Sequence, residues 1–280
     1  MADQSISLTT GATLNGRALA RIGAVTLESN TIVKPAASTQ AGQPAISAGG
    51  VVNLASYASP VAAGSLAAVF GTNLASGQAS YTNLPLPLTL GQSGFKIANQ
   101  PAPLVYASAA QVNLQIPWEV AGSTQASVIA TVNGVVSSSQ TVSLAAFAPG
   151  IFTLNTQGTG QGAVLIASTA LVAGPKSASG SAPVQRGKYI SIFCTGLGAV
   201  SNRPATGAAA AGPLSWTGTT PTVTIGGVSA LVTFSGLAPG FAGLYQVNAQ
   251  VPMGAPTGDT VAVAIQIGGA TSNTVTIAVQ

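Results

Sequence analysis

The sequence predicts an all-β chain that repeats one β-sandwich unit, and three observations lead there. Apolar and polar residues alternate at period two through much of the chain, the spacing at which successive side chains of a strand face opposite ways. Asn-Gly or Gly-Gly dipeptides, which supply the positive φ of tight hairpin turns, separate β-rich runs in "ATLNGRALA", "SVIATVNGVV", "TVTIGGVSALVTF" and "AIQIGGATSNTVTIAV". Finally, four blocks recur in one order, the signature of an internal repeat.

The blocks pair as follows. "GSLAAVFGTNL" (Gly64 to Leu74) matches "GKYISIFCTGL" (Gly187 to Leu197), and "IANQPAPLVY" (Ile97 to Tyr106) matches "IGGVSALVTF" (Ile225 to Phe234). Two amide-bearing strands follow, "AQVNLQIP" (Ala110 to Pro117) and "LYQVNAQVP" (Leu244 to Pro252). Then "VNGVVSSSQTVSL" (Val132 to Leu144) matches "IGGATSNTVTI" (Ile267 to Ile277) across a small gap. The expected units are 51–147 and 148–280, the second with an insertion around "GLAPGFAG"; their size and rhythm are those of an immunoglobulin-like sandwich. In each amide strand the aliphatics, Val112, Leu114 and Ile116 or Val247, Ala249 and Val251, are expected in the core, and the amides on the outer face. Pro117 and Pro252 end those strands because proline has no N–H for the ladder. The amide row reads either as a solvated, backbone-pairing face or as a flat ligand-binding row.

Two N-terminal pieces precede the sandwiches. Residues 1–33 are expected to form a β-strand or hairpin extension, with a hairpin signal at Asn15-Gly16 and too few residues for a closed core. Residues 34–50, "KPAASTQAGQPAISAGG", read as a Pro/Ala/Gln/Gly-rich linker whose extended reach is about 55 Å.

Composition excludes several function classes. Only 4% of residues are charged, against roughly 25% in an ordinary soluble domain, yet the apolar runs are broken too often for a spanning helix, so no membrane span is expected. The net charge of +4 comes from scattered cations, Arg17, Arg21, Lys34, Lys96, Lys176, Arg186, Lys188 and Arg203, rather than a phosphate-binding face, so no nucleic-acid partner is expected. The start "MADQSISLTT" carries no visible signal peptide.

Catalysis lacks its usual parts. Histidine is absent, and the four acids, Asp3, Glu28, Glu119 and Asp259, are far apart in sequence. The sequence predicts no catalytic set, no cofactor and no metal site, and hence no enzyme. Cys194 aligns with Gly71, which points to a small buried thiol without an activating base. Lys188 and Arg186, just before the same strand, read as a charged sheet edge. Trp118, Trp216, Tyr57, Tyr81 and Tyr245 are the aromatics from which a sugar-stacking platform could be built, Trp118 first among them.

Three motifs, "APGIFTLNTQGTGQGAVLI" (Ala148 to Ile166), "ISIFCTGLGAV" (Ile190 to Val200) and "GLYQVNAQVPMGAPTGD" (Gly243 to Asp259), resemble the Solibacter-type uncharacterised C-terminal domain. Over about Val51 to Gln280 the resemblance implies tandem Ig-like units of the IPT/TIG kind, an extracytoplasmic setting and no known catalysis. The stretch "GATLNGRALARIGAVTLESNTI" (Gly11 to Ile32) resembles the closing segment of the bacterial ice-binding protein family, whose fold is a right-handed β-helix; the ice-binding coils of that family have no counterpart in this sequence.

The expected role is a non-enzymatic, extracellular or cell-surface structural protein. Its N-terminal strand would add to the sandwich edge of a neighbouring subunit and build a homo-oligomeric fibre. The alternative is an adhesin or surface-binding module for polysaccharide or ice.

Overall fold

The computed structural model describes residues 3–15, 18, 20–33 and 42–280, whose regular secondary structure is β-strand apart from one 3-10 turn at Trp118–Val120. The chain divides into two units, Met1–Gln43 and Pro44–Gln280.

In the first unit the strands Ile6–Leu8 and Val25–Leu27 pair in parallel, as do Thr13–Asn15 and Thr31–Val33. The chain therefore loops once and returns beside itself in register. Aliphatics stack on aliphatics at Ile6 on Val25, Leu8 on Leu27 and Leu14 on Ile32. Asn30 brackets the turn between the two passes: its side-chain N–H donates to the Thr9 carbonyl at 2.6 Å and its oxygen accepts from the Glu28 N–H at 2.6 Å. Parallel pairing corrects the expected hairpin. Gly16 lies outside the described residues, but the strand ending at Asn15 takes its partner from Thr31–Val33, so the Asn-Gly signal does not join two antiparallel neighbours. Each of these four strands thus takes one partner from within the segment.

The second unit holds two immunoglobulin-like sandwiches, each with its own core. In the first, a sheet ordered Ala45–Asn53, Leu66–Thr72, Gln111–Gln115, Leu104–Ala107, Ala79–Ser80 faces one built on Ser93–Ile97, Gln125–Val132 and Gln140–Ala145. Its first strand corrects the expected linker. Residues 34–41 lie outside the described residues, but Ala45–Asn53 pairs with Leu66–Thr72 and buries Ile46 and Val51, its register shifting between them around Gly49 at φ +66°. A stretch rich in Pro, Ala and Gly is in part a bulged edge strand.

In the second sandwich Val228–Leu237 is long enough to belong to both sheets, pairing Thr222–Ile225 with its first residues and Tyr245–Gln250 with the rest. The order Tyr189–Thr195, Tyr245–Gln250, Val228–Leu237 repeats Leu66–Thr72, Gln111–Gln115, Leu104–Ala107. Register repeats as well. Val112 lies opposite Val69 and Leu114 opposite Ala67, while Val247 lies opposite Ile192 and Ala249 opposite Ile190. All six expected core aliphatics, from Val112 to Val251, are fully buried.

Hydrogen bonds stitch the sandwiches together. The Thr195 hydroxyl accepts from the Leu66 N–H at 2.9 Å and donates to the Gly243 carbonyl at 2.9 Å. Asn53 donates to the Ala148 carbonyl at 2.8 Å, and the Gly207 N–H donates to the buried Gln115 oxygen at 2.7 Å. Such buried, satisfied contacts make the junction a fixed piece of structure.

Candidate functional site

The amide strand positions the site. Along Gln111–Gln115 the core takes Val112 and Leu114, which leaves Gln111 and Asn113 on the outer face, where the Gln111 side-chain N–H donates to the Asn113 side-chain oxygen at 2.8 Å. Phe70 lies opposite Gln111 on one neighbouring strand, and Tyr106 lies opposite Asn113 on the other. Strict alternation from the buried Leu104 would turn Tyr106 into the core. A bulge between Leu104 and Tyr106 shifts the register by one residue and re-aims the ring outward. Four side chains from three adjacent strands therefore form one surface, Phe70, Gln111, Asn113 and Tyr106.

Tyr57 extends this surface. Asn53 organises the turn beneath it, its side-chain oxygen accepting from the Ala55 N–H at 2.8 Å and the Ser56 N–H at 3.1 Å. Tyr57 itself sits at φ +57°, a conformation costly for a bulky residue, on the order of 1–3 kcal/mol, that persists only where the surroundings dictate it. Its ring lies 6.3 Å from that of Phe70, inclined at 37°, and its hydroxyl donates to the Thr156 carbonyl at 2.8 Å.

The opposite wall comes from the second sandwich. Phe152, Thr153, Thr156 and Gln157 belong to a loop held by Asn273, which accepts from the Ile151 N–H at 2.8 Å and donates to the Ile151 carbonyl at 2.9 Å and the Gly158 carbonyl at 2.8 Å. Between the walls lies a cleft of about 890 Å³. Its lining contains aromatic rings, amides, hydroxyls and small apolar groups, and no Lys, Arg, Asp or Glu. Concave, and lined by aromatic rings together with converging amides and hydroxyls, it has the makings of a small-molecule or oligomer site.

Other sequence candidates fall elsewhere. Trp118, the first-choice platform, is buried: after Pro117 the 3-10 turn tucks its ring beneath Gly64, where a Cβ would come within 2.1 Å of the ring. Tyr245 is buried as well, its hydroxyl donating to the Gly198 carbonyl. Both are corrected from binding to packing residues, because each is drawn in by apolar neighbours of the second core. Trp216 is 45% exposed and packs edge-on against Phe234, with ring centroids 4.8 Å apart. Tyr81 lines a separate pocket.

The acids do not assemble. Glu119 accepts a hydrogen bond from the Thr206 hydroxyl at 2.7 Å, Asp259 lies exposed on a strand, and Asp3 makes an exposed ion pair with Arg21 at 3.4 Å. Among the described residues no three of His, Cys, Asp and Glu come together as a metal site would require, and no helix is long and apolar enough to cross a membrane. Cys194 is fully buried, and burial pushes its thiol far above the ordinary range. Its repeat partner Gly71 is confined by the edge strand, since a Cβ there would sit 2.1 Å from the Ala45 carbonyl oxygen.

The outer-face quartet recurs in the second copy as Phe193 opposite Gln246 and Phe234 opposite Asn248, and the Gln246 side chain again donates to Asn248 at 2.8 Å. The same bulge falls between Val232 and Phe234. Trp216 packs against the second copy's aromatic; in the first copy Tyr106 opens to the cleft. Sequence reasoning weighed the amide row and the tyrosines separately, and missed that the bulge brings Tyr106 beside Asn113.

Among solved structures the chain is similar to the Bacteroides ovatus mixed-linkage glucan utilization locus protein SGBP-B in complex with a mixed-linkage heptasaccharide, at 10% identity and TM-score 0.33, covering 91% of this chain and 48% of that one. It thus spans about half that structure's length. It is also similar to the tandem Ig repeats of Dlar, at 11% identity and TM-score 0.21 over 85% of this chain and 95% of that one. A third is domains 5–6 of the S-layer protein SbsC, at 10% identity and TM-score 0.24 over 85% and 98%. No family model matches the chain, and no curated protein matches it. Likenesses this distant carry no argument about function.

Proposed function

We propose that this chain is a non-enzymatic, extracellular or cell-surface binding module that holds carbohydrate in the cleft between its two sandwiches. The observation that carries the reading is the joint surface of Tyr57, Phe70 and Tyr106 with Gln111 and Asn113. A sugar ring is apolar on its C–H faces and polar around its rim. Half-buried aromatic rings suit the faces, gaining dispersion and releasing water, while fixed amides suit the rim hydroxyls as both donors and acceptors. Strands and a clamped loop hold these groups before any ligand arrives, which reduces the entropy lost on binding. Retention of the chain on gels cast with soluble polysaccharides tests the reading. Wild type should be retarded by at least one polysaccharide, and Tyr106→Ala should migrate freely; equal migration in every gel overturns it.

A second reading, assembly into a fibre through the N-terminal segment, rests on the exposed Val25, Leu27 and Ile32 in a pair of two-stranded sheets. Such a row, with strand edges beside it, favours addition of another chain. Sedimentation of the full chain against one lacking residues 1–43 tests this: loss of large species on deletion supports it, and a monomeric full chain at high concentration refutes it.

A further inference from the structure

The cleft does not end at its own wall. Phe152, on the wall from the second sandwich, also lines a neighbouring pocket of about 320 Å³ together with Tyr81, Val105, Phe193, Phe241 and Leu244. The bulged pair Val105 and Tyr106 divides between the two, Val105 lining the pocket and Tyr106 the cleft. Rings thus line both compartments, Tyr57, Phe70 and Tyr106 in the cleft, Phe193 and Phe241 in the pocket, and Phe152 in both. No residue lining either compartment is charged.

Resting on the carbohydrate reading, we infer that the ligand is an uncharged polysaccharide chain that lies across Phe152 and occupies both the amide cleft and the apolar pocket. Charge decides the class. A uronate or sulfate brought into the cleft loses hydration, and no Lys or Arg lines the walls to replace it. Neutral hydroxyls find amide and carbonyl partners at no such cost. Continuity decides the length, because a single sugar residue is several-fold smaller than the cleft and leaves most of it, and all of the pocket, wet. A ligand that spans both gains contact at Phe241, whose ring is 48% exposed and free to be covered.

Calorimetry on the full chain tests this, using an array-selected neutral oligosaccharide in a series of increasing length and an acidic series, alginate oligomers, at low and high salt. Affinity for the neutral series should rise at least several-fold with length to a plateau and be insensitive to salt. Phe241→Ala should remove that rise while leaving the shortest binding oligomer unaffected. Phe241 is about half exposed and belongs to neither core, so it can be truncated without unfolding the chain. Two outcomes overturn the inference but leave a carbohydrate module standing: salt-sensitive binding of the acidic series alone, or neutral binding that is indifferent to both length and Phe241→Ala. Absence of binding to every glycan, or binding of a proline-rich peptide alone, overturns the carbohydrate reading along with it.

Discussion

Gln115 of the first sandwich accepts a hydrogen bond from the backbone N–H of Gly207 in the second at 2.7 Å, with its side chain 1% exposed. The same amide donates to the Gly64 carbonyl at 3.2 Å. Gln250, its counterpart in the repeat, donates to Gly187 at 2.8 Å, and Gly187 is the repeat counterpart of Gly64. Both copies thus use the last amide of the strand to hold the neighbouring strand's entry, and the first copy adds the link between sandwiches.

Gln115→Leu should therefore destabilise the chain more than Gln250→Leu. The former strands two buried backbone groups at about 1–3 kcal/mol each, whereas at the half-buried Gln250 water can replace the lost partner. Urea midpoints of the two variants check this, and equal shifts would contradict it.

Leu114→Ala should cost about 2–5 kcal/mol, since Leu114 is fully buried in the first core against Ala67. Chemical denaturation followed by far-UV circular dichroism measures the loss.

Gly64→Ala should disturb the junction. Gly64 lies at φ +78°, and an added Cβ would meet the Trp118 ring at 2.1 Å, so the ring has to move. In a Trp216→Phe background, where Trp118 is the remaining indole, the emission should shift to the red. Unchanged emission would show that the ring is not pinned there.

Much of this fold was legible because period two and the repeat are local signals. Alternation in "QVNLQIP" and "QVNAQVP" placed Val112, Leu114 and Val247 in the core, and the alignment of Cys194 with Gly71 predicted a small buried position. What stayed hidden depends on contacts between distant residues. A one-residue bulge sends Tyr106 outward, a single pass of chain turns an apparent hairpin into parallel pairs, and the burial of Trp118 is set by the second sandwich. The aromatic cleft was invisible because its walls are about a hundred residues apart, as Tyr57 and Thr156 are.

Alkaline pH should weaken the fold. Burial first, and for Tyr245 also the neighbouring Cys194, raises both groups above their ordinary values of 9.0 and 10.0. Between its unfolded and folded pKa each keeps its proton only in the folded chain. Their contribution is therefore complete below about pH 9; the Cys194 share falls above that and the Tyr245 share only above about pH 10, each by about 1.4 kcal/mol per pH unit. The urea midpoint should drop between pH 8 and about pH 10.5, and drop less in Cys194→Ala.

In the proposed function the cleft, and not the repeated amide face in general, binds carbohydrate. The protein carries its own control, because Gln246 and Asn248 form the same amide pair outside the cleft, beside a Phe234 against which Trp216 packs. Titration of the isotope-labelled chain with the shortest neutral oligosaccharide that binds, which occupies the cleft without reaching the Phe193 pocket, followed through side-chain amide resonances, separates the two. Binding in the cleft should give saturable shifts at Gln111, Asn113 and Gln157 with Gln246 and Asn248 unmoved. Shifts at Gln246 and Asn248 with Gln111 and Asn113 unmoved would contradict it.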